Sequence, residues 1–400
     1  MCAVATCIAR CGGGGAQAAD IPSDPTCWDG SDDTTLIQQA ITAGECLPPG
    51  TFHVDVPAPD SSTNRRRDAM LVGARLCGTR ADVTTIKFRG DAHALYLVGM
   101  FVTDHGVVHD ITLDTTCVTN TIEQTHLVHM GIATDAVAIH DNVFIHPSRI
   151  DGSSAGDCIN IVGSAMVPNA GMTIDHNVFT RCARVGIQIS RGVANGVIAD
   201  NTFIDCKQDV GSQGAGGITN LSIVHNHAIW SGAPRGYSFA LEQITGLSFD
   251  HNDVNQRPLL LYYCENCELT TNSFTNLVPN WPAIVVGDSA HHTQITRGNL
   301  IVQTADAPAI RVAPLGVDHQ ANLGDVTVDG ALIDQEGSGG FVEAAGVAGI
   351  TLSNSRLTYT GPAGVVPKPL YATTSSAAPP VTPVPSTGVV EVANVHVGFP

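Results

Sequence analysis

Alternation of apolar and polar residues dominates the middle of this 400-residue chain, and it returns at intervals around an asparagine. The segment AIHDNVF at residues 138–144 returns in altered form at 173–179, 197–203, 222–228, 248–254 and 268–274. From Asn177 onward the steps between successive asparagines are 24, 25, 26 and 20 residues. A repeat of this length predicts a solenoid, in which each unit forms one turn of a larger coil.

Each unit also contains a second short strand with a period of two, at residues 158–161, 186–189, 283–286 and 309–312. Alternation directs one set of side chains to the core and the other outward. It predicts that Asn160 and Gln188 point outward. The inward set is Ile159, Ile161, Ile187 and Ile189.

Two solenoids compete for this pattern. Residues 218–226 also fit a leucine-rich repeat, whose period overlaps. The remainder of each unit, such as 185–190, is Gly-rich and β-branched instead of Leu-rich and helical. We therefore predict an all-β parallel helix with three strands per coil and about ten coils, roughly 45–50 Å long. Its stacked asparagine side chains would be Asn142, Asn177, Asn201, Asn226, Asn252 and Asn272.

The segment at residues 29–41 reads as a loop followed by an amphipathic helix, and residues 47–52 then enter a strand. The predicted buried face is Leu36, Ile37, Ala40 and Ile41. Such a helix can cap the open end of a solenoid. The string DGSDDTTLIQQAI…PPGTF resembles the start of the pectate lyase superfamily, which includes phage tailspikes. With the repeats, the resemblance covers roughly residues 27–360 and implies a right-handed parallel β-helix.

We divide the chain into three parts. Residues 1–20 resemble a signal peptide or lipoprotein anchor: Ala16-Gln17-Ala18 has the small-x-small form of a cleavage site, and Cys11 precedes four glycines. A disordered Gly-rich tail is the alternative. Residues 21–360 form the β-helix domain. Residues 361–400 are a Pro-rich tail with a possible final strand. Export predicts a secreted or cell-surface protein, possibly a lipoprotein.

The formal net charge of −18, with only three lysines, argues against nucleic acid as a partner. A polyanionic substrate would also be repelled unless local arginines or a bound cation offset the field. No apolar run is long enough to span a bilayer.

Twelve cysteines permit disulfides in an oxidising compartment. Cys27 and Cys46 flank the predicted helix, and Cys182 and Cys206 occupy matching positions in consecutive repeats. These pairs form disulfides or serve as small buried apolar residues. For the lone CENC segment at 264–267, a local disulfide or core packing is favoured over zinc.

The outer face of the sheet that holds 158–161 and 186–189 would form a groove for a sugar chain. The candidate catalytic residues on it or just before it are Asp157, Arg184, Asp209 and Arg257. The candidate substrate-binding residues are Asn160, Gln188, Arg235, Tyr237 and Glu242. Acids, arginines and a tyrosine can bind sugar hydroxyls, carboxylates and ring faces. The alternative is a solvated, mixed-charge face without function.

Residues 157–164 and 173–179 resemble the pectate lyase run E-x-x-x-D-I-x-x-G-S…V-T-x-S-x-N-x-F. The resemblance implies calcium, but the family's calcium-binding acids fall at Gly156 and Asn160, so calcium is only possible. Residues 251–258 resemble the segment that carries the lyase base, which places Arg257 in that role. The Gly-His-Gly and Arg-Ile-Lys motifs of polygalacturonases are absent. Hydrolysis would instead need two carboxylates, and Asp157 and Asp209, about two coils apart, would lie roughly 5–10 Å from each other.

The predicted function is cleavage of a polysaccharide by β-elimination or hydrolysis. The alternative is a non-catalytic surface β-helix that binds glycans or acts as a structural, adhesive or tailspike-like module, with a homotrimer as one form.

Aspartates and histidines alternate at the position just before each repeated asparagine. We expect them to be turn residues, and a metal site is the alternative. They are Asp141, His176, Asp200, His225 and His251.

Overall fold

The structure is a computed structural model that describes residues 27, 30–56, 69–92, 97–120, 125–146, 156–213, 216–233, 236–288, 290–313, 324–345, 349–363, 368–373, 389–393 and 395–398. These residues contain one α-helix, α1 (Thr34–Ala43), and 37 β-strands. The strands are β1 (Gly50–Val56), β2 (Ala69–Cys77), β3 (Thr84–Ala92), β4 (Leu97–His109), β5 (Thr112–Asn120), β6 (Thr125–Met130), β7 (Ala138–His140), β8 (Val143–Ile145), β9 (Asp157–Val162), β10 (Asn169–Ala170), β11 (Thr173–Asp175), β12 (Val178–Thr180), β13 (Val185–Arg191), β14 (Val193–Ala194), β15 (Val197–Ala199), β16 (Thr202–Ile204), β17 (Gln208–Ser212), β18 (Ile218–Val224), β19 (His227–Ile229), β20 (Phe239–Glu242), β21 (Ile244–Asp250), β22 (Asp253–Gln256), β23 (Leu259–Tyr262), β24 (Glu268–Thr270), β25 (Ser273–Asn276), β26 (Ile284–Gly287), β27 (His291–Ile295), β28 (Leu300–Gln303), β29 (Ile310–Val312), β30 (Gly324–Asp329), β31 (Leu332–Gln335), β32 (Val342–Ala345), β33 (Gly349–Ser353), β34 (Arg356–Tyr359), β35 (Leu370–Thr373), β36 (Val389–Ala393) and β37 (His396–Gly398).

The strands stack in three parallel sheets, as a β-helix requires. Sheet 1 has thirteen strands in the order β1-β3-β5-β8-β12-β16-β19-β22-β25-β28-β31-β34-β37. Sheet 2 runs β2-β4-β6-β9-β13-β17-β20-β23-β26-β29-β32-β35, and sheet 3 runs β7-β11-β15-β18-β21-β24-β27-β30-β33-β36. The long strands β2 and β4 bend from sheet 2 into the line of sheet 3. The predicted fold is confirmed, with more turns than the ten or so expected, and no described helix separates the strands as in a leucine-rich repeat.

Inward side chains fill the space between the sheets with stacked apolar residues. Ile159, Ile161, Ile187 and Ile189 are fully buried, as the alternation predicted. On sheet 1, the rings of Phe144, Phe179 and Phe203 stack with centroids 4.9 and 4.8 Å apart. This spacing matches the distance between neighbouring strands, because each ring repeats the position of the one below it.

A column of buried asparagines joins successive coils at the corner between sheets 3 and 1. Asn226 is typical: its Nδ2 donates to the carbonyls of Ile198 and Val224 at 2.9 and 3.0 Å, and to Oδ1 of Asn252 at 3.0 Å. Its Oδ1 accepts the backbone N–H of Asn201 from the coil before. All six predicted asparagines belong to the column, and Asn299 adds a seventh member. The column therefore satisfies backbone groups that a sharp corner leaves unpaired.

The residues before these asparagines adopt left-handed backbone conformations, which explains the Asp/His column. The φ angles of Asp141, His176, Asp200, His225 and His251 lie between 51° and 56°. Asp and Asn tolerate this region better than bulky residues do. These residues are turn residues, as predicted, and no cluster of three metal-ligating side chains forms among them in the described structure.

Helix α1 caps the first coil at the edge of sheet 2. Gln38 donates from Nε2 to the carbonyl of Val72 at 2.8 Å and accepts the Val72 N–H at 3.0 Å, so it occupies backbone groups that an edge strand leaves open. Ile37 and Ile41 are buried, as predicted, and a Cβ at Gly73 would meet the Ile41 side chain at 2.3 Å. The prediction for Leu36 is wrong: it is 49% exposed. No helix in the described ranges has the length and apolar character needed to cross a membrane.

The described strands continue beyond residue 360. Strands β35, β36 and β37 pair with β32, β33 and β34, so much of the segment assigned to a tail adds a further coil. The predicted final strand corresponds to β36 and β37. The proposed signal or lipoprotein segment at residues 1–20 lies outside the described residues.

Four disulfides form among the residues that the structure describes, but not all in the predicted pairs. The bonds are Cys27–Cys117, Cys46–Cys77, Cys158–Cys182 and Cys264–Cys267. The local Cys264–Cys267 bond is confirmed. The predicted pairs Cys27–Cys46 and Cys182–Cys206 are wrong. Cys27, Cys46 and Cys182 bond to other cysteines, and Cys206 is a buried free thiol.

Replacing Asn226 by Ala is expected to destabilise the fold by about 3 kcal/mol or more, because several buried partners lose their hydrogen bonds at once. Chemical denaturation measures the change. The control is Asn220→Gly, at an exposed residue with φ of 53° and one side-chain hydrogen bond at 3.1 Å to Asn195. Equal effects of the two substitutions would contradict the role assigned to the column.

Candidate functional site

A buried polar cluster surrounds Asp157 at the start of β9. Arg184, just before β13, donates from Nε to Asp157 Oδ1 at 2.7 Å and from Nη2 to Oδ2 at 2.6 Å. Asn160 donates from Nδ2 to Oδ2 at 3.0 Å, and the Nδ1 atom of His126 lies 3.2 Å from the same oxygen. Asp157 has no exposed surface. The cluster thus supplies the partners that a buried carboxylate needs.

Asp157 stays ionised and His129 stays neutral at neutral pH. Burial acts to raise the pKa of Asp157, but His126 and Arg184 outweigh it and lower the pKa to about 2. Burial and the neighbouring His126 lower the pKa of His129 to about 4. His129 pairs with Asn160 in the sheet register and is neutral at physiological pH. The cluster therefore holds one permanent ion pair and a neutral imidazole.

A second buried ion pair lies two strands along, at the start of β17. Arg257 donates from Nη2 to Asp209 Oδ2 at 2.7 Å and from Nη1 to the Lys207 carbonyl at 2.7 Å. The Ser238 hydroxyl also donates to Asp209. The guanidinium lies 4.6 Å from the centre of the Trp230 ring, a cation–π distance. Burial raises the pKa of Asp209, and the positive charge of Arg257 acts in the opposite direction.

The predicted site residues therefore separate into groups. Asp157, Arg184 and Asn160 lie together, and Asp209 lies with Arg257. Asp157, Asp209 and Arg257 are at most 1% exposed, which favours structural roles; their catalytic roles stay predictions.

The predicted binding residues are spread along the same sheet. Asn160 and Gln188 occupy the outward register but are only 4% and 5% exposed. Tyr237 is half-buried, with its ring 5.1 Å from that of Trp281. Arg235 lies outside the described residues.

Glu242 lies apart, at the corner where sheet 2 turns into sheet 3. It ends β20, and the register aligns it with Tyr262 on β23 and Gly287 on β26. The next residue in each coil is left-handed: Gln243, Tyr263 and Asp288 have φ angles of 56°, 48° and 46°. For a residue as bulky as tyrosine this conformation costs about 1–2 kcal/mol. Strain of this kind concentrates at functional sites.

The ionisable groups at this corner perturb one another. Burial, and then the negative charge of Asp288, raise the pKa of Glu242 to about 6. Burial, followed by the charges of Asp288 and Glu242, also raises the pKa of Tyr263. Asp288 itself is 5% exposed. A carboxyl group that titrates near pH 6 can exchange a proton under mild conditions, as proton-transfer groups in enzymes do.

A shallow surface cavity of about 510 Å³, largely open to solvent, lies beside this corner. Its polar side chains can hydrogen-bond a ligand, and the buried Oε1 of Gln243 has no hydrogen-bond partner in the described structure. Thr245, Glu265 and His291 are paired across three coils of the wall. The lining residues are Gly216, Gly217, Gln243, Thr245, Tyr263, Glu265 and His291. We refer to this cavity, together with Glu242, Tyr262 and Asp288, as the corner site.

Metal ligands are not assembled at the corner site. Within the described ranges, the one group of three side chains close enough to share an ion is Cys46, Cys77 and His109, and its cysteines form a disulfide. Calcium prefers six or more oxygen ligands. The possible calcium site inferred from the sequence therefore has no matching cluster of acidic residues in the described structure.

Sequence reasoning found Glu242 but missed its partners. Tyr262 and Tyr263 follow an apolar run and resemble core residues, while Asp288 follows a strand like an ordinary turn residue. Gln243, Tyr263 and Asp288 each follow directly after a strand of sheet 2, and this shared position could have revealed the site. Recognising it requires knowing how the strands of three coils align.

No family model matches the sequence, and no curated protein matches it. Solved structures do match. The A-module of the Azotobacter vinelandii mannuronan C-5 epimerase AlgE4 is 13% identical and aligns over 86% of this chain and 96% of its own, with a TM-score of 0.52. The catalytic domain of a GH87 α-1,3-glucanase in complex with nigerose is 10% identical over 91% of this chain and 70% of its own, with a TM-score of 0.54.

This chain is a right-handed parallel β-helix. At such low identities the likeness establishes the fold of this β-helix and leaves its chemistry to its own residues.

Replacing Asp157 by Asn is expected to destabilise the β-helix by about 3–5 kcal/mol, because Arg184 is left buried without its counter-charge. Denaturation at neutral pH measures the loss. Asp82→Asn is the control, since the Arg80–Asp82 pair is about two-thirds exposed and solvent screens it. An Asp157→Asn protein with unchanged stability and no activity would instead support the predicted catalytic role.

Proposed function

We propose that this β-helix cleaves a polysaccharide at the corner site, with Glu242 as the proton-transfer group. The observation that carries the proposal is the pKa of about 6 at Glu242, beside a cavity and a second carboxylate. The fold supports it: one structural neighbour is an epimerase of mannuronan, and the other is a glucanase with a bound sugar.

Hydrolysis is the reaction that the arrangement fits best. Glu242 and Asp288 belong to coils two steps apart, so their backbones are separated by about 10 Å. Inverting glycosidases hold their two carboxyl groups about 6.5–9.5 Å apart, which leaves room for a water molecule. Protonated Glu242 would donate its proton to the glycosidic oxygen as that bond breaks. Asp288 would take a proton from the water that adds to the sugar.

Tyr263 lies between the two carboxyl groups in the register and lines the cavity. Its raised pKa keeps the phenol protonated, so it can donate a hydrogen bond to a sugar oxygen. A protonated tyrosine also tolerates the two nearby negative charges, which a phenolate would not.

β-Elimination by the same groups is the alternative reaction, and glycan binding without cleavage is the alternative function. The binding role is favoured by the burial of Asp157 and Asp209 in ion pairs, which leaves neither acid with exposed surface. Incubation with a polysaccharide panel separates the three: new reducing ends indicate hydrolysis, unsaturated ends that absorb in the ultraviolet indicate elimination, and retention without either indicates binding.

We also propose that the protein acts outside the cytoplasm, as a secreted or cell-surface protein. Four disulfides support this location, because such bonds persist in oxidising compartments. The homotrimer stays a prediction.

Replacing Glu242 by Gln is expected to lower activity at least about a hundredfold, because the transferable proton is lost. The same substitution should stabilise the protein at pH 7 by about 2 kcal/mol, since the raised pKa means that ionisation costs the folded state more than the unfolded state. The gain should be absent below the unfolded pKa near 4.5 and complete above about pH 6.

Activity assays and denaturation across this pH range measure both effects. Glu336→Gln, at an exposed residue outside the corner site, is the control. Full activity of Glu242→Gln would disprove the assigned role.

A double-mutant cycle tests whether Asp288 raises the pKa of Glu242. In the Asp288→Asn background the stabilisation by Glu242→Gln at pH 7 should shrink, with a coupling of about 0.5 kcal/mol or more, because the repelling charge has gone. Additive effects would show that the two carboxyl groups do not interact.

A further inference from the structure

Among the described residues that form the corner site, acids are present and lysine and arginine are not. Glu265 is exposed on the cavity wall, and the negative charges of Glu242 and Asp288 reach the Tyr263 hydroxyl in the same wall. None of the seven lining residues is a lysine or arginine. Strands β20, β23 and β26, which carry the corner, also contain neither.

Arg191, which ends β13 on a neighbouring coil, is exposed, while three other arginines are bound to acids. Arg257 is buried against Asp209 at the opposite end of its strand, and Arg184 is bound to Asp157. Arg311 on β29 donates from Nε to Glu343 at 2.6 Å. Each of these three cations faces an acid of its own. The net charge of −18 adds a negative background over the whole molecule.

We infer that the corner site accepts a polysaccharide without carboxylate groups and binds amine-bearing sugar chains most strongly. This inference rests on the proposed function and names its substrate class. A uronate residue in the cavity would bring its carboxylate beside Glu265 and near Glu242 and Asp288, with no lysine or arginine among the lining residues, and like charges at short range disfavour binding. A protonated amine would bind more tightly, because the same negative charges attract it.

Uncharged sugars would bind with an affinity between those of the amine-bearing chain and the uronate chain. The Gln243 amide, the Thr245 and Tyr263 hydroxyls and the His291 ring provide donors and acceptors for sugar hydroxyls. These hydrogen bonds do not depend on substrate charge. The site therefore discriminates mainly by repelling the anionic chain.

The test measures binding of the full chain to oligosaccharides of matched length and linkage that differ only in one substituent: amine, hydroxymethyl or carboxylate. Several linkages are used, at a pH above the pKa of Glu242, so that its carboxyl group is ionised. Within each set we expect the amine to bind most tightly and the uronate most weakly. Higher salt should reduce the difference, because it screens the field.

Glu265→Gln removes one charge from the wall without touching the proposed proton-transfer pair. This substitution should lower the ratio of the amine affinity to the uronate affinity about threefold. Glu336→Gln, which removes an equal charge outside the cavity, should leave the ratio unchanged.

Tighter binding of a uronate than of its neutral counterpart, or equal binding of all three, would overturn the inference even if the protein cleaves polysaccharides. Selective binding without cleavage would instead remove the proposed catalysis and leave the inference in place. No binding to any chain would overturn both.

Discussion

The whole solenoid depends on one repeated interaction, the buried asparagine that ties each coil to the next. A parallel helix must turn sharply between sheets, and each turn leaves backbone groups without partners in an apolar interior. The asparagine amide supplies both a donor and an acceptor at that point, as Asn177 does towards Ile139 and Asn142. Because the coils of the column are fixed to their neighbours, side chains far apart in sequence meet at defined positions. The corner site is assembled in this way from four coils.

The fold could be predicted because its main signal is local and repeated. Alternation identifies the strands, and the residues around each ladder asparagine recur almost unchanged. Asn299 was missed because one additional residue separates it from the preceding apolar position, Ile295, compared with Asn177 and Ile174. Leu36 was misplaced because the periodicity of a ten-residue helix does not reveal how narrow its contact with β2 is.

The site was harder to predict, since its chemistry depends on burial and register. Asp157 and Arg257 looked like reactive groups in the sequence, but each is neutralised by a partner from another coil. Glu242 looked less distinctive, and its raised pKa arises from burial and from Asp288, which is 46 residues away. The cysteines show the same limit: Cys27 bonds to a residue 90 positions along the chain, which no local spacing indicates.

The Cys264–Cys267 bond has a consequence for the corner site. It closes a loop so short that it restricts the unfolded chain little, and its contribution to overall stability is therefore small. Glu265, however, lies between the two cysteines and bridges the coils of Thr245 and His291. Four backbone hydrogen bonds to the coils of Ile244 and His291 also hold Cys264, Glu265 and Asn266. The cavity wall around Glu265 is therefore fixed both by a covalent bond and by the sheet, which keeps this exposed carboxylate in one position.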